Sequence, residues 1–227
     1  MKNLSIALIA CLLLSSPKLY AQTVTLGQHK LEAHQVILSK VNLMGKEAVK
    51  VLKDTAVKGV DEPTFARIKG VDFTNGSIEV KVLSRLLANA PEMARGFIGI
   101  AFRINDSNTR YESIYVRPLN ARVNDQVRRN HSIQYYSYPD YKFDRLRQIA
   151  PERYESYTDM EMNKWITLRF EIKDAMATLF VNKNSQPSLV VTDLKHGANS
   201  SGAIGLWVEI GTEGYFSDLK ITKQDPS

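Results

Sequence analysis

The chain has 227 residues, a formal net charge of +6 and a single cysteine. One cysteine excludes an intramolecular disulfide, and neither a run of basic residues nor a zinc-ligand spacing points to nucleic acid. A positive excess this mild means solubility; it is compatible with an acidic glycan without arguing for one.

In chain order, Met1-Lys2-Asn3, the apolar run Leu4 to Leu14 and the small residue Ala21 have the make-up of a secretory leader. The run is too short for a stable membrane span. Cleavage after Ala21 leaves Gln22–Ser227, and the expected destination is the periplasm or the medium. The rival is a lipid anchor on Cys11, because Leu8-Ile9-Ala10-Cys11 has the shape of a lipobox; against it, Leu12 to Leu14 continue the apolar run. Cleaved after Ala21, the mature chain has no thiol to act as nucleophile or metal ligand.

Beyond the leader, apolar residues alternate with polar ones in short segments, the period of half-buried strands. The expected strands are His34–Val41, Lys46–Lys53, Thr64–Lys69, Val71–Phe73, Ser77–Ser84, Gly96–Ile104, Tyr111–Arg117, His131–Tyr138, Trp165–Lys173, Ala175–Val181, Ser188–Asp193, Gly202–Ile210 and Tyr215–Thr222. Turn residues separate them at Asn75-Gly76, Asn105-Asp106-Ser107-Asn108, Lys183 to Pro187 and Gly197 to Gly202. Many short strands without intervening helices predict an all-β fold of two antiparallel sheets. No linker or repeat divides Gln22–Ser227, so one domain is expected. Asp140–Lys164 is the longest segment without strand pattern and is read as a functional or mobile loop.

Three stretches carry a family resemblance. Trp165-Ile166-Thr167-Leu168-Arg169-Phe170-Glu171-Ile172, followed by Ala177 to Asn182, resembles a hairpin of concanavalin A-like sandwiches. Gly202-Ala203-Ile204-Gly205-Leu206-Trp207 with Tyr215 to Ile221 resembles their C-terminal strand pair, and Phe73 to Val80 resembles an early strand of the group. The resemblance implies a jelly-roll sandwich of the lectin and glucanase superfamily, similar to laminin-G-like and 3-keto-disaccharide hydrolase-type domains. It also implies a bias toward glycans, without fixing an activity. The paired-glutamate signature of family 16 glycoside hydrolases is absent, and so are the alginate-lyase signatures of this fold in their usual form.

Alternation places one set of side chains on the face that lines an open groove in such folds. That set is Arg103, Tyr115, Arg117, Gln134, Tyr136 and Trp207, above a low floor of Gly99, Ala101 and Gly205. Aromatic faces suit the C–H faces of sugars, and planar donors and acceptors suit their hydroxyls. The same residues also fit an ordinary sheet face with cross-strand pairs. The catalytic residue is left unassigned, with Glu112, His131 and Glu209 as candidates; Asp140 and Glu155 extend the list of carboxylates for a hydrolase. Glu112, on the face of Ile114 and Val116, needs a partner if buried. The leading function is carbohydrate binding on the concave sheet, with an oligo- or polysaccharide as partner. A glycoside hydrolase or polysaccharide lyase of the same fold and a protein-interaction module are the alternatives. No cofactor and no metal ligand set is predicted, a structural calcium remains compatible with a jelly roll, and the oligomeric state is left open.

Overall fold

The structure, a computed structural model, describes residues 19–23, 26 and 31–224. Residues 1–18 of the expected leader, Cys11 included, lie outside the described residues. The chain runs β1 (Leu19–Thr23), β2 (Leu31–His34), β3 (Val36–Leu43), β4 (Lys46–Lys53), β5 (Phe65–Ile68), β6 (Asn75–Leu86), β7 (Ile98–Ile104) and β8 (Tyr111–Val116). It continues through α1 (Gln126–Asn130), β9 (Ile133–Tyr138), α2 (Phe143–Ile149), β10 (Glu155–Ser156), β11 (Ile166–Lys173), β12 (Met176–Val181), β13 (Leu189–Val191), β14 (Ala203–Val208) and β15 (Thr212–Gln224).

Two antiparallel sheets form the expected jelly-roll sandwich. The first has the order β13-β12-β11-β6-β15-β4-β3, with β1 also paired to β15; the second has the order β10-β9-β8-β7-β14-β5-β2. The expected cleavage point after Ala21 falls inside β1, whose residues pair with Lys220–Gln224. Between the sheets lie Ile78, Val80 and Val82 of β6 and Leu168, Phe170 and Ile172 of β11, with Ile98, Ile100 and Phe102 of β7, Ile114 and Val116 of β8 and Leu206 and Val208 of β14 in the same apolar core. Each such side chain contributes about 1.5–3 kcal/mol by leaving water, which lets a fold without disulfides stand on its core.

The first sheet keeps the period of two. In β11, Ile166, Leu168, Phe170 and Ile172 are buried, whereas Glu171 and Lys173 are exposed. The second sheet does not: every residue of β7, β8 and β14 is buried. Its second face is covered too, and that covering shapes the site.

Three expected segments differ. The strand expected at His34–Val41 is two, because Gln35 takes a left-handed backbone (φ 55°) that breaks it. β2 pairs with β5 in the second sheet and β3 with β4 in the first, so the chain changes sheets at that residue. Val71–Phe73 supplies a single bridge, Phe73 to Gly202. The patternless Asp140–Lys164 holds α2 and β10, elements of seven and two residues, too short to show a periodic stripe.

Candidate functional site

Five of the six side chains expected on the groove face do lie together, Arg117 through its bonds to Tyr115 and Gln134. Register places Tyr115 opposite Gln134 and Gly99, Ser113 opposite Tyr136, and Trp207 opposite Gly99. Their rings pack into one cluster: Tyr115 to Trp207 at 4.7 Å between centroids, Tyr136 to Trp207 at 5.5 Å and Tyr111 to Tyr136 at 5.8 Å. The hydroxyls of Tyr111 and Tyr136 are 2.9 Å apart, so the interior of the cluster carries its own hydrogen bond.

The open groove is not there. Trp207, Tyr136 and Gln134 are each 0 % exposed, and Tyr115 is 2 %. The cause is the segment 54–64 between β4 and β5, which crosses this face. Trp207 Nε1 donates to the Glu62 carbonyl (3.0 Å) and Thr64 Oγ1 to the Val208 carbonyl (2.6 Å). From the far side, Tyr138 Oη donates to Glu62 (3.3 Å), Lys142 pairs with Glu62, and the Phe143 N–H donates to Asp61 Oδ2 (3.0 Å). The low floor is likewise occupied. A Cβ on Gly99 would lie 2.5 Å from Tyr115 Cα, and one on Gly205 would lie 2.9 Å from the Phe65 ring. At Gly99 the missing side chain lets the backbone of β8 come close, and at Gly205 it makes room for the Phe65 ring.

Arg103 leaves the group altogether. Between β7 and β14 the register slips, Ala203 facing Ile104 but Gly205 facing Ala101, and Arg103 is left-handed at φ 55°. A bulge resets the alternation. Its guanidinium donates to the carbonyls of Thr74, Asp174 and Gly197 and to Asn75 Oδ1, tying the second sheet to turns of the first. Glu112 is equally remote: it is fully buried on the opposite face of β8, where Tyr135 Oη (2.7 Å) and the His196 N–H (2.8 Å) donate to it.

Where the covering stops, at the Arg117 end of the face, a pocket of about 230 Å³ remains. Phe97, Tyr115 and Phe143 give it ring surfaces; Asp61 and Glu209 supply carboxylates; Arg95, Arg117, Arg128, Arg147, His131 and Asn120 complete the lining with Val60 and Met93. This is small beside the roughly 300–1,000 Å³ usual for small-molecule sites, a size for one sugar ring and not a chain. Arg117, on β8's continuation into the turn Pro118–Asn120, is the hub. Its Nη1 donates to Glu155 Oε1 (3.0 Å) and the His131 carbonyl (3.1 Å), and its Nη2 to Tyr115 Oη (2.8 Å) and Gln134 Oε1 (3.2 Å). Burial alone lowers the affinity of Arg117 for its proton, but Tyr115 and Glu155 more than offset that and raise it.

Glu155 is shared. Arg147 Nε donates to its Oε2 at 2.8 Å, and His131 Nδ1 lies 2.9 Å from Oε1, though out of line for a hydrogen bond. Burial pushes the Glu155 carboxyl up, yet the arginines outweigh it and hold it below the ordinary range. Burial also pushes His131 down, against the pull of Glu155 and with the repulsion of Arg147 and Arg117, so at neutral pH the imidazole is uncharged.

Asp61 and Glu209 form the opposite wall. The Asp61 N–H donates to Glu209 Oε2 (2.8 Å), the Ile210 N–H donates to Oε1 (2.7 Å), and Lys53 pairs with the same carboxylate. Burial raises Glu209 against these partners. Asp61 is pushed up to about 6: burial dominates, the Phe143 N–H, Arg117 and Lys142 pull it down, and Glu209 pushes it further up. Asp61 thus exchanges a proton near neutrality at the wall of a small pocket.

Tyr115 and Arg117, of the expected binding residues, and His131 and Glu209, of the catalytic candidates, line this pocket; Gln134 braces Arg117 from behind, Tyr136 and Trp207 lie under the covering segment, and Arg103 and Glu112 lie elsewhere. Asp61, Arg95, Phe97 and Arg128 were not singled out from the sequence, whereas Phe143 falls in the segment Asp140–Lys164 read as a functional or mobile loop. Asp61 offered a weak signal, one of two adjacent carboxylates before a proline in Val60-Asp61-Glu62-Pro63, but nothing in that run says that it folds across β14. Among the described residues no three His, Cys, Asp or Glu side chains gather as a metal site, and no helix is long and apolar enough to cross a membrane.

No protein-family model matches the chain, and no curated protein matches it in sequence. Among solved structures it is similar to the carbohydrate-binding module CBM66 from Bacillus subtilis, with 11% identity, 83% of this chain and 96% of that chain covered, and a TM-score of 0.52. A Bacillus subtilis protein of unknown function with a galectin-like fold gives 8% identity, 92% and 96% coverage and a TM-score of 0.55. A sialidase is similar over 90% of this chain and 18% of its own length, at 10% identity and a TM-score of 0.51. At such identities the likeness is one of fold.

Proposed function

We propose that this protein is an exported carbohydrate-binding β-sandwich that holds a single sugar residue in the pocket at the Arg117 end of the second sheet. One observation carries the reading: three ring surfaces, Phe97, Tyr115 and Phe143, meet fixed hydrogen-bonding groups in one small cavity. Sugars present apolar C–H faces and a rim of hydroxyls, and that pairing of surfaces complements both. Arg117 is held by four acceptors, so its geometry is set before a ligand arrives, which lowers the entropic cost of binding. The fold likeness to a carbohydrate-binding module supports the reading, and the leader Met1–Ala21 supports export.

A glycan array probed with the mature chain tests it. Binding to at least one oligosaccharide is expected, and Phe143→Ala, which removes a half-exposed ring without opening the core, weakens that binding at least about tenfold. Binding that Phe143→Ala leaves intact overturns the assignment of the pocket.

A second reading has its own observation. Asp61 and Glu209 are two buried carboxylates on one pocket wall, and Asp61 holds its proton to about pH 6, as a general acid must. Release of reducing ends or unsaturated uronates from an oligosaccharide that the array identifies, abolished by Asp61→Asn, decides for catalysis; a bound and uncut sugar decides for binding alone.

A further inference from the structure

The charges around the pocket do not balance, and the imbalance has a definite place. Its ion pairs are Arg117 with Glu155, Arg147 with Glu155, and Lys53 with Glu209. Arg95 and Arg128 take part in none of them. Arg95 Nη1 donates to the carbonyls of Glu92 and Ala94, which satisfies hydrogens without neutralising charge. Arg128 Nη2 reaches Asn120 Oδ1 at 3.4 Å, and its Nε, shielded from solvent, has no hydrogen-bond partner among the described residues. Asn120 is itself held, its Nδ2 donating to the His131 carbonyl at 3.2 Å.

Two guanidinium groups therefore face one cavity with no carboxylate assigned to them and with Arg117 beside them. Burial and the charges of Arg128 and Arg117 lower the proton affinity of Arg95, and the exposed Glu92 carboxylate offsets this only in part. The other carboxylates around the pocket give little relief. Glu155 and Glu209 are committed to other cations, and Asp61 is half protonated near pH 6.

Resting on the sugar-binding reading of the same pocket, we infer that its ligand is an acidic sugar whose anionic oxygens are received by Arg95 and Arg128. The ring lies against Phe97 and Phe143, and the planar guanidinium groups meet a carboxylate or sulfate edge with paired N–H donors. The carboxylate is the form the pocket favours, since its planar pair of oxygens is the smaller group in a cavity of about 230 Å³. Recognition of this kind weakens with added salt, because the pocket opens to solvent.

The test is calorimetric titration of the mature chain with trimers of galacturonate and mannuronate, their carboxyl-reduced forms, and a sulfated galactose trimer. An acidic trimer is expected to bind at least about tenfold more tightly than its carboxyl-reduced form, the equivalent of one or more charge-assisted hydrogen bonds. Arg95→Gln and Arg128→Gln each shrink that preference and leave the thermal midpoint near that of the wild type. Tight binding of the sulfated trimer alone also supports the inference and assigns the anion as sulfate. Equal binding of acidic and reduced trimers, both weakened by Phe143→Ala, overturns the inference and leaves the sugar site standing. A preference that survives both arginine substitutions overturns it as well. Binding by none of the sugars, here and on the array, removes the sugar reading and this inference with it.

Discussion

β11 of the first sheet buries Ile166, Leu168, Phe170 and Ile172 and turns Glu171 and Lys173 to water, whereas β8 of the second sheet buries all six of its residues. Both strands alternate in sequence. The difference lies in what covers them: the outer face of β11 leaves Glu171 and Lys173 exposed among the described residues, and over β8 and β14 lies the segment 54–64, pinned through Glu62 and Asp61 to Trp207, Tyr138 and Phe143. Tyr and Trp on a strand face therefore do not distinguish a groove from a second core. A face that is covered for most of its length concentrates its chemistry at the uncovered end, and here that end is the Arg117 pocket.

The sharpest way to break this comparison is to truncate the covered face. Trp207→Ala empties a fully buried ring position and is expected to cost about 3–5 kcal/mol in urea unfolding. A cost below about 1 kcal/mol with sugar binding abolished would mean that Trp207 lines an open groove after all. Glu155→Gln should come next. It removes the carboxylate that Arg117 and Arg147 share and strands a buried guanidinium, at about 3 kcal/mol, with the loss following the arginines and not the cavity.

Asp61 gives the pocket a pH signature of the opposite sign to that of Glu155. Its carboxyl moves from 3.8 to about 6 on folding, so the folded state keeps a proton that the unfolded chain releases. Below pH 4 both states are protonated and the cost is absent; as pH rises from 4 through 6 stability falls by up to about 3 kcal/mol. Asp61→Asn keeps an acceptor for the Phe143 N–H and should flatten this part of the profile relative to wild type, measured by urea midpoints from pH 4 to 8. Identical profiles would show that Asp61 is not buried at the pocket wall. The outer sheet supplies the smallest effect. Asp218 is held down to about 2 by hydrogen bonds from Lys81 and Lys46, but nearly half of its side chain is in water. Asp218→Asn is expected to cost less than about 1 kcal/mol, and a larger loss would put the weight of the fold on its surface.

The sandwich was legible because alternation and turn residues are local signals, and the first sheet obeys them. Tyr115, Arg117, Gln134, Tyr136 and Trp207 were placed on one face correctly for the same reason. Arg103 was misplaced by a bulge, which shifts a strand's facing by one residue and leaves no mark in composition. The covering of that face escaped notice because segment 54–64 and α2 are short and irregular and reach it through main-chain groups: the Glu62 carbonyl, the Asp61 N–H and the Phe143 N–H. Backbone donors and acceptors are common to every residue, so no residue type announced them. Asp61 and the Arg95–Arg128 pair became visible only when that segment and the turn after β8 closed on one cavity.

The most direct test is a map of amide chemical shifts in the nitrogen-15-labelled chain as an oligosaccharide from the array is added. Shifts are expected to concentrate at Asp61, Arg95, Phe97, Arg117, Asn120, Arg128 and Phe143, around the pocket. Shifts centred on the exposed face of β11, β12 and β13, with the pocket silent, would contradict that placement of the site.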